Sequence, residues 1–297
     1  MKEYRASIGL PVYNGEKFLP EALDSLLAQT FIDFEVVISD NASTDRTREI
    51  CCTYAARDSR IRYFRNEANR GVAWNHNNVF SLSRGKYFQW IGHDDVLAPQ
   101  YLERCITILD QDPSIILCYS RSKRLDENGQ FFDDKHDHLA TDSAKPLIRF
   151  RDLVCIEHSS LAMFGVMRAE VLKKTVLLGY YPSGDRVLLA QLGLFGRFHQ
   201  IPEPLFFRRV HPGQSTNLRR HIRALQFDPK RSGFFVLPRW EMFGGYFSCI
   251  SKAPISRYEQ LQCYILAIKA IKLWWREMRD DVLVAIKQIL LPSSSKG

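Results

Sequence analysis

Apolar residues recur along the chain with two alternating periods. Ala6–Val12 and Phe34–Ser39 are short, nearly continuous apolar runs, and each predicts a buried strand. Between them Phe18, Leu19, Ala22, Leu23, Leu26 and Leu27 fall on one face at helical spacing, which predicts a helix ending near Gln29. The alternation continues. Ile50, Cys51, Tyr54 and Ala55 line a second helix, for which Ser43 or Thr44 is the expected cap and Asp45 complements the positive end. Ile61–Phe64 predicts a strand, Val72–Ser83 a helix and Tyr87–Ile91 a strand. Leu102, Cys105, Ile106 and Leu109 give a further helix, before a strand over Ile115–Tyr119. Strands alternating with helices in this way predict an α/β fold with a mainly parallel sheet, whose ligands bind beyond the carboxyl ends of the strands.

The pattern breaks most sharply at Tyr87-Phe88-Gln89-Trp90-Ile91-Gly92-His93-Asp94-Asp95, where an apolar run stops on two carboxylates. Unpaired carboxylates are costly to bury, so one reading puts them at the mouth of a cleft, facing a cation or a hydroxyl. The other is a polar turn before a helix that has Pro99 in its first turn. The second strand also ends on acid, at Asp40, on the same rim, and this favours the cleft.

Composition narrows the class. With 297 residues, 45% of them hydrophobic, the chain can bury one large core or two modest ones. The first residues run straight into a strand without an apolar segment of the signal-peptide type, and no apolar run reaches membrane-spanning length. Seven cysteines, an odd number without CxxC spacing, read as reduced core thiols and point to a cytoplasmic setting. The net charge of +8 favours anionic partners without choosing among phosphorylated small molecules, nucleic acid and lipid headgroups.

The chain becomes polar and aperiodic from Arg121 to Ala144. The acids and histidines there, Asp133-Asp134 and His136-Asp137-His138, read as a mobile loop or a solvated charge run rather than a metal site. Order returns with a strand over Met163–Met167, a short helix over Ala169–Leu177, and Pro182-Ser183-Gly184-Asp185 leading into an apolar helix. The segment from Phe198 to His211 follows. Beyond Arg219 come the aromatics Ser232-Gly233-Phe234-Phe235, Trp240 and Phe243–Phe247. Leu261, Tyr264, Ile265, Ile268, Ile271, Trp275, Val282 and Ile286 then predict helices with one apolar face. Such a face packs on the rest of the chain or on a second subunit, as in a homodimer. The interleaved Lys269, Lys272, Arg276 and Arg279 also suit a membrane-surface helix.

Five motifs in order, Pro11-Val12-Tyr13-Asn14, Leu23-Asp24-Ser25-Leu26-Leu27-Ala28-Gln29-Thr30, Ser39-Asp40-Asn41-Ala42-Ser43-Thr44-Asp45, Asn69-x-Gly71 and His93-Asp94-Asp95, resemble family 2 glycosyltransferases of the Rossmann-like GT-A fold. The resemblance is strong over residues 6 to 120 and looser over 160 to 215. It implies a glycosyltransferase domain over 1–215, with a nucleotide-sugar half (1–120) and an acceptor half (121–215), followed by a helical extension over 216–297.

The same resemblance implies roles. Pro11, Tyr13 and Asp40 would form the base site of a nucleotide-sugar donor, uracil being suited to both Tyr13 and Asp40. Asn69 and Gly71 would shape the turn beside the diphosphate. Asp94, with Asp95 or His93, would hold Mn²⁺ or Mg²⁺, although Gly92 replaces the first acid of the family's metal motif. Asp185 would be the general base toward a saccharide or lipid-linked hydroxyl acceptor, with Gly184 where the family often has Glu. Arg209 and His211 match an R-x-H element that contacts diphosphate. The implied reaction is inverting transfer in cell-surface polysaccharide or glycolipid synthesis, in the cytoplasm or at the inner face of the membrane.

Two rivals remain at this point. A basic nucleic-acid-binding protein leaves the acidic strand ends unexplained, so no nucleic-acid partner is expected. An inactive donor-binding scaffold is compatible with glycine at positions 92 and 184. A dehydrogenase lacks support, because no G-x-G-x-x-G follows the first strand.

Overall fold

A computed structural model describes residues 4–134, 137–214, 217–218, 220–231 and 236–290. His136 and Ser232–Phe235, singled out above, lie outside the described residues, as does Arg219. Nine strands form one sheet. They are β1 (Ala6–Val12), β2 (Phe34–Asp40), β3 (Ile61–Arg65), β4 (Tyr87–Trp90), β5 (Val96–Leu97), β6 (Ile115–Leu125), β7 (Phe131–Asp133), β8 (Val166–Arg168) and β9 (Arg197–Arg209). Their order is β3-β2-β1-β4-β8-β6-β9-β5, with β7 paired to β6. Pairing is parallel within β3-β2-β1-β4 and between β6 and β9, and antiparallel around β8, β5 and β7.

Helices α1 (Leu19–Leu27), α2 (Thr47–Arg57), α3 (Val72–Leu82) and α4 (Tyr101–Gln111) connect the first strands. Later come α5 (Pro146–Cys155), α6 (Ala169–Leu172), α7 (Gly184–Phe195), α8 (Arg220–Phe227), α9 (Pro238–Lys252) and α10 (Arg257–Leu290). Because side chains alternate across a strand, neighbouring residues enter opposite cores. Tyr87, Cys118 and Val166 join one cluster with α1 and α4, while Phe88, Leu117 and Met167 join the other with α5, α7, α9 and α10.

Pro11 does not break β1, although it lies in a central strand and cannot donate to a ladder. Pairing of β1 with β4 ends at Gly9–Trp90, so the missing N–H falls beyond that edge while pairing with β2 continues to Val12–Asp40.

Several expectations are corrected. The polar stretch from Arg121 continues β6 to Leu125 and turns back into β7; Ser120 and Ser122 are buried, which hid the strand's apolar alternation. Met163 belongs to a 3-10 turn over Leu161–Phe164, and only Val166–Arg168 is strand. The helix from Ala169 stops at Leu172, five residues short of Leu177, which itself sits at φ 58°.

Ser43 and Thr44 do not cap α2. The Ser43 hydroxyl accepts the Asn14 N–H at 2.9 Å, and the Thr44 N–H donates to Asn14 Oδ1 at 2.8 Å. The capping acceptor is Asp45, whose Oδ1 takes the Thr47 N–H at 3.0 Å and whose Oδ2 takes the Glu16 N–H at 3.0 Å. Burial opposes ionisation of Asp45, but these hydrogen bonds hold its carboxyl below the usual range.

The apolar face read for the last helix is corrected in part: Tyr264 and Ile271 pack against the core, but other members of that face do not. The buried face of α10 is Cys263, Ala267, Ala270, Trp274 and Met278, whereas Leu261, Ile265, Ile268, Trp275 and Ile286 are exposed. Three of the buried positions are small, which lets α10 lie close against α5 and α9. Helices α9 and α10 therefore share a core with α5 and α7.

Candidate functional site

The strand order reverses between β1 and β4, and an open α/β sheet offers its crevice at such a point. The turns that leave these two strands meet there. The His93 ring covers Gly15 so closely that a Cβ on Gly15 would lie 2.7 Å from His93 Cδ2. Tyr13, 44% exposed, follows directly on β1 in the same turn. Pro11 is buried in β1, so it positions Tyr13 rather than meeting a ligand.

Asp40 is also not open in this structure. Its carboxylate is fully buried and accepts the Tyr63 O–H at 2.7 Å, Arg65 Nη1 at 3.0 Å and the Ser43 N–H at 2.8 Å. Arg65, 35% exposed, lies between it and solvent as its ion-pair partner. Asn69 behaves as a turn residue: its Oδ1 accepts Asn41 Nδ2 at 2.8 Å and the Gly71 N–H at 2.9 Å. Gly71 has φ 89°, and a Cβ there would lie 2.5 Å from Phe227 O, so the turn is roofed by the chain just after α8.

Beyond β4 the two adjacent acids part company. Asp94 Oδ2 accepts His211 Nε2–H at 3.1 Å, and both side chains are 17% exposed. Phe18 packs on the His211 ring, with centroids 5.0 Å apart. Asp95 is buried and accepts the Arg209 N–H at 3.0 Å. Burial, and then the charge of Asp94, push its carboxyl well above the usual carboxylate range. Asp95 is thus corrected from metal ligand to the residue that ties β9 to this loop.

Arg209 is corrected as well. Its guanidinium is buried over the Phe18 ring, donates to Asp94 O and Asp126 O at 2.9 Å each, and pairs with Glu21. Buried and engaged in this way, it orients the backbone of Asp94. Gly92 lies beneath both acids; a Cβ there would be 2.7 Å from Asp94 Oδ1 and 2.8 Å from Asp95 Oδ2. The carboxylates fold back over the place where a first acid would project.

Asp185 lies in the first turn of α7 and is half-buried. No side-chain capping bond forms at this helix, and the Asp185 carboxylate has no hydrogen-bond or ion-pair partner among the described residues. The alternative of a simple cap therefore does not hold. A Cβ on Gly184 would meet Gly179 O at 2.8 Å, so the preceding position has no room for an acid. His76 links the two halves: burial pushes its imidazole down to about 4, while the charges of Asp185 and His93 also act on it. Its Nδ1 faces Val72 O at 2.9 Å, which assigns the N–H to that atom and leaves Nε2 without a proton.

Sequence reasoning missed Phe18, Glu21, Tyr63, Arg65 and His76. Phe18 carried only a helix-face signal, and Arg65 stands beside Asp40 only because β2 and β3 pair in that register. Among the described residues no group of three or more His, Cys, Asp or Glu side chains is placed to hold a metal ion. Asp94 and His211 offer one carboxylate and one imidazole. This fits a divalent cation shared with phosphate oxygens and water, but not one held by protein alone.

Comparisons with known proteins bear on the family and the fold. A relative from Rickettsia typhi, described as an uncharacterized glycosyltransferase, is 35% identical over 233 residues, covering 71% of this chain and 65% of its own length. The chain spans 18% and 20% of two further Rickettsia relatives. The crystal structure of Staphylococcus aureus TarS residues 1–349 with UDP-GlcNAc superimposes with a TM-score of 0.65 over 90% of this chain and 72% of that one, at 17% identity. The mannosyltransferase PcManGT of Pyrobaculum calidifontis, solved with GDP-Man and Mn²⁺, gives 0.55 over 97% and 88% at 16% identity. These neighbours establish the GT-A fold. The family model for glycosyl transferase family 2 matches residues 7–174, more than half of the sequence, from the second residue of β1 through β4 and their turns. The chain belongs to glycosyl transferase family 2.

Proposed function

We propose that the chain transfers a sugar, with inversion, from a nucleotide-diphosphate donor to a hydroxyl of a saccharide or lipid-linked acceptor. The observation that carries this reading is the division of labour between two acids. Asp94 is oriented by His211 and Arg209 at the switch point, whereas Asp185 stands without a partner at the start of α7. Tyr13 offers a stacking face to the base, and UDP is the favoured nucleotide because TarS is solved with it. Asp94 and His211 would hold Mn²⁺ or Mg²⁺, which supplies positive charge where the departing diphosphate develops negative charge. Asp185 takes the proton of the acceptor hydroxyl as its oxygen attacks the anomeric carbon from the face opposite the leaving group. The charge of Asp185 also acts on His76, whose imidazole is pushed down to about 4 chiefly by burial. The inactive-scaffold alternative loses its main support, since glycine at 92 and 184 follows from close packing.

Asp185→Asn tests the assignment. Its turnover is expected to fall about 10²- to 10⁴-fold, while UDP binding and melting temperature stay unchanged because the carboxylate bonds to nothing in the fold. Full turnover in that variant would remove Asp185 from the mechanism. Synthesis of a cell-surface polysaccharide or glycolipid at the inner membrane face is the setting this reading favours.

A further inference from the structure

The loop between α6 and α7, which delivers Asp185, is strained toward both ends. Leu177 has φ 58° and Ser183 φ 72°, and neither residue type favours the left-handed region. Such backbone persists only where its surroundings hold it, and it clusters at functional sites. The loop is closed on itself and on α7. A Cβ on Gly184 would lie 2.8 Å from Gly179 O and 2.9 Å from Gly179 N, and the Gly184 N–H donates to Tyr181 O at 3.1 Å. The Val176 N–H donates to Gln191 Oε1 of α7 at 3.0 Å.

A side chain from the donor half grips the backbone of this unit. Asn77 of α3 donates Nδ2–H to Leu178 O at 3.0 Å and accepts the Leu178 N–H on Oδ1 at 3.0 Å. An amide carries both a donor and an acceptor, so one side chain pairs with Leu178 as a neighbouring strand would. The rest of α3 is fastened to the strand ends. It starts after Gly71; Asn75 Nδ2 donates to Ser39 O at 2.9 Å and Asn78 Nδ2 to Ser39 Oγ at 2.9 Å, next to Asp40. Trp90, the last residue of β4, donates Nε1–H to His76 O at 2.8 Å.

One helix thus holds the ends of β2 and β4 on one side and the loop that delivers Asp185 on the other. We propose that Asn77 is a positioning residue: by fixing Leu178 to α3 it sets where the Asp185 carboxylate stands relative to a donor bound at the ends of β2 and β4. It acts through the loop backbone, not on the substrate. The inference rests on the reading of Asp185 as the base. A base displaced by a fraction of an ångström keeps its fold and loses its rate, so the loss belongs to turnover and not to donor binding.

The test is a double-mutant cycle on the full chain: parent, Asn77→Ala, Asp185→Asn and both together. Each is assayed by release of UDP from UDP-GlcNAc in Mn²⁺ with water as the acceptor, and by thermal shift with UDP. N77A should lower kcat about ten-fold or more, with the KM for UDP-GlcNAc and the UDP shift unchanged. Because Asn77 acts through Asp185, N77A should change the residual rate of D185N by less than about two-fold. Parental kcat in N77A, or an equal loss in both backgrounds, overturns the positioning role alone. Parental kcat in D185N overturns the base reading and the proposal with it. Should the parent release no UDP, amide hydrogen exchange decides: N77A should speed exchange over residues 178–186 about ten-fold or more and leave residues 34–40 unchanged. Unchanged exchange over 178–186 overturns the proposal. If N77A fails to fold, Asn77→Ser takes its place with the same expectations.

Discussion

At the scale of single residues, the burial of His158 has a measurable consequence. Burial first, and the Arg186 charge second, push its imidazole down to about 4 from an ordinary value of 6.5. The folded pKa lies below the unfolded one, so as pH falls the unfolded chain takes up the proton first. The stabilisation is complete above about pH 6.5 and is lost as pH falls toward 4. Between pH 7 and pH 5 this one group should remove about 2 kcal/mol, and His158→Gln should flatten that part of the profile. Urea unfolding at both values checks it, and parallel pH profiles for parent and variant would refute it. The strand that stops on acid made Asp94 legible as a candidate, and the family resemblance did the same for Asp185. Neither could separate Asp94 from Asp95, or show Arg209 and Asp40 turned inward, because those outcomes depend on partners 83 to 188 positions away or on strand register.

Among the elements, the alternation of apolar periods located β1 to β4 and α1 to α4 to within a few residues, since each buries one clear face. It failed where burial and polarity part company. The second half of β6 buries serines, and α10 buries alanines while exposing isoleucine and tryptophan. The turn before α3 shows how one element depends on another. Gly71 has φ 89° and lies under Phe227 O and Pro229, so a side chain there meets both a left-handed backbone penalty and a clash. Gly71→Ala should cost at least about 2 kcal/mol of stability by thermal or urea unfolding. A variant as stable as the parent would show that the α8 segment does not roof this turn.

For the molecule as a whole, charge and exposed apolar surface converge on α10. Tyr258, Leu261, Ile265, Ile268 and Trp275 are exposed along its outer side, flanked by exposed Lys269, Lys272, Arg276 and Arg279. Among the described residues no helix is long and apolar enough to cross a membrane. This 34-residue helix, about 50 Å long, instead suits the surface of an anionic bilayer. The chain should co-sediment with anionic phospholipid vesicles and less with neutral ones, and a Lys272→Glu, Arg276→Glu double variant should lose that preference. No vesicle binding, together with a dimer in sedimentation, would assign the stripe to a second copy of the chain.

The most direct test of the central claim, that Asp94 and His211 bind a divalent cation together with a nucleotide diphosphate, is a thermal-shift titration with UDP. It should be run in Mn²⁺ and in chelator, on the parent chain and on Asp94→Ala. At a hundred times its dissociation constant a ligand stabilises by about 2.7 kcal/mol, which moves the midpoint by several degrees. The account predicts that shift for the parent in Mn²⁺, its loss in chelator, and its loss in Asp94→Ala. An equal shift in chelator and in the variant, or none under any condition, would contradict it.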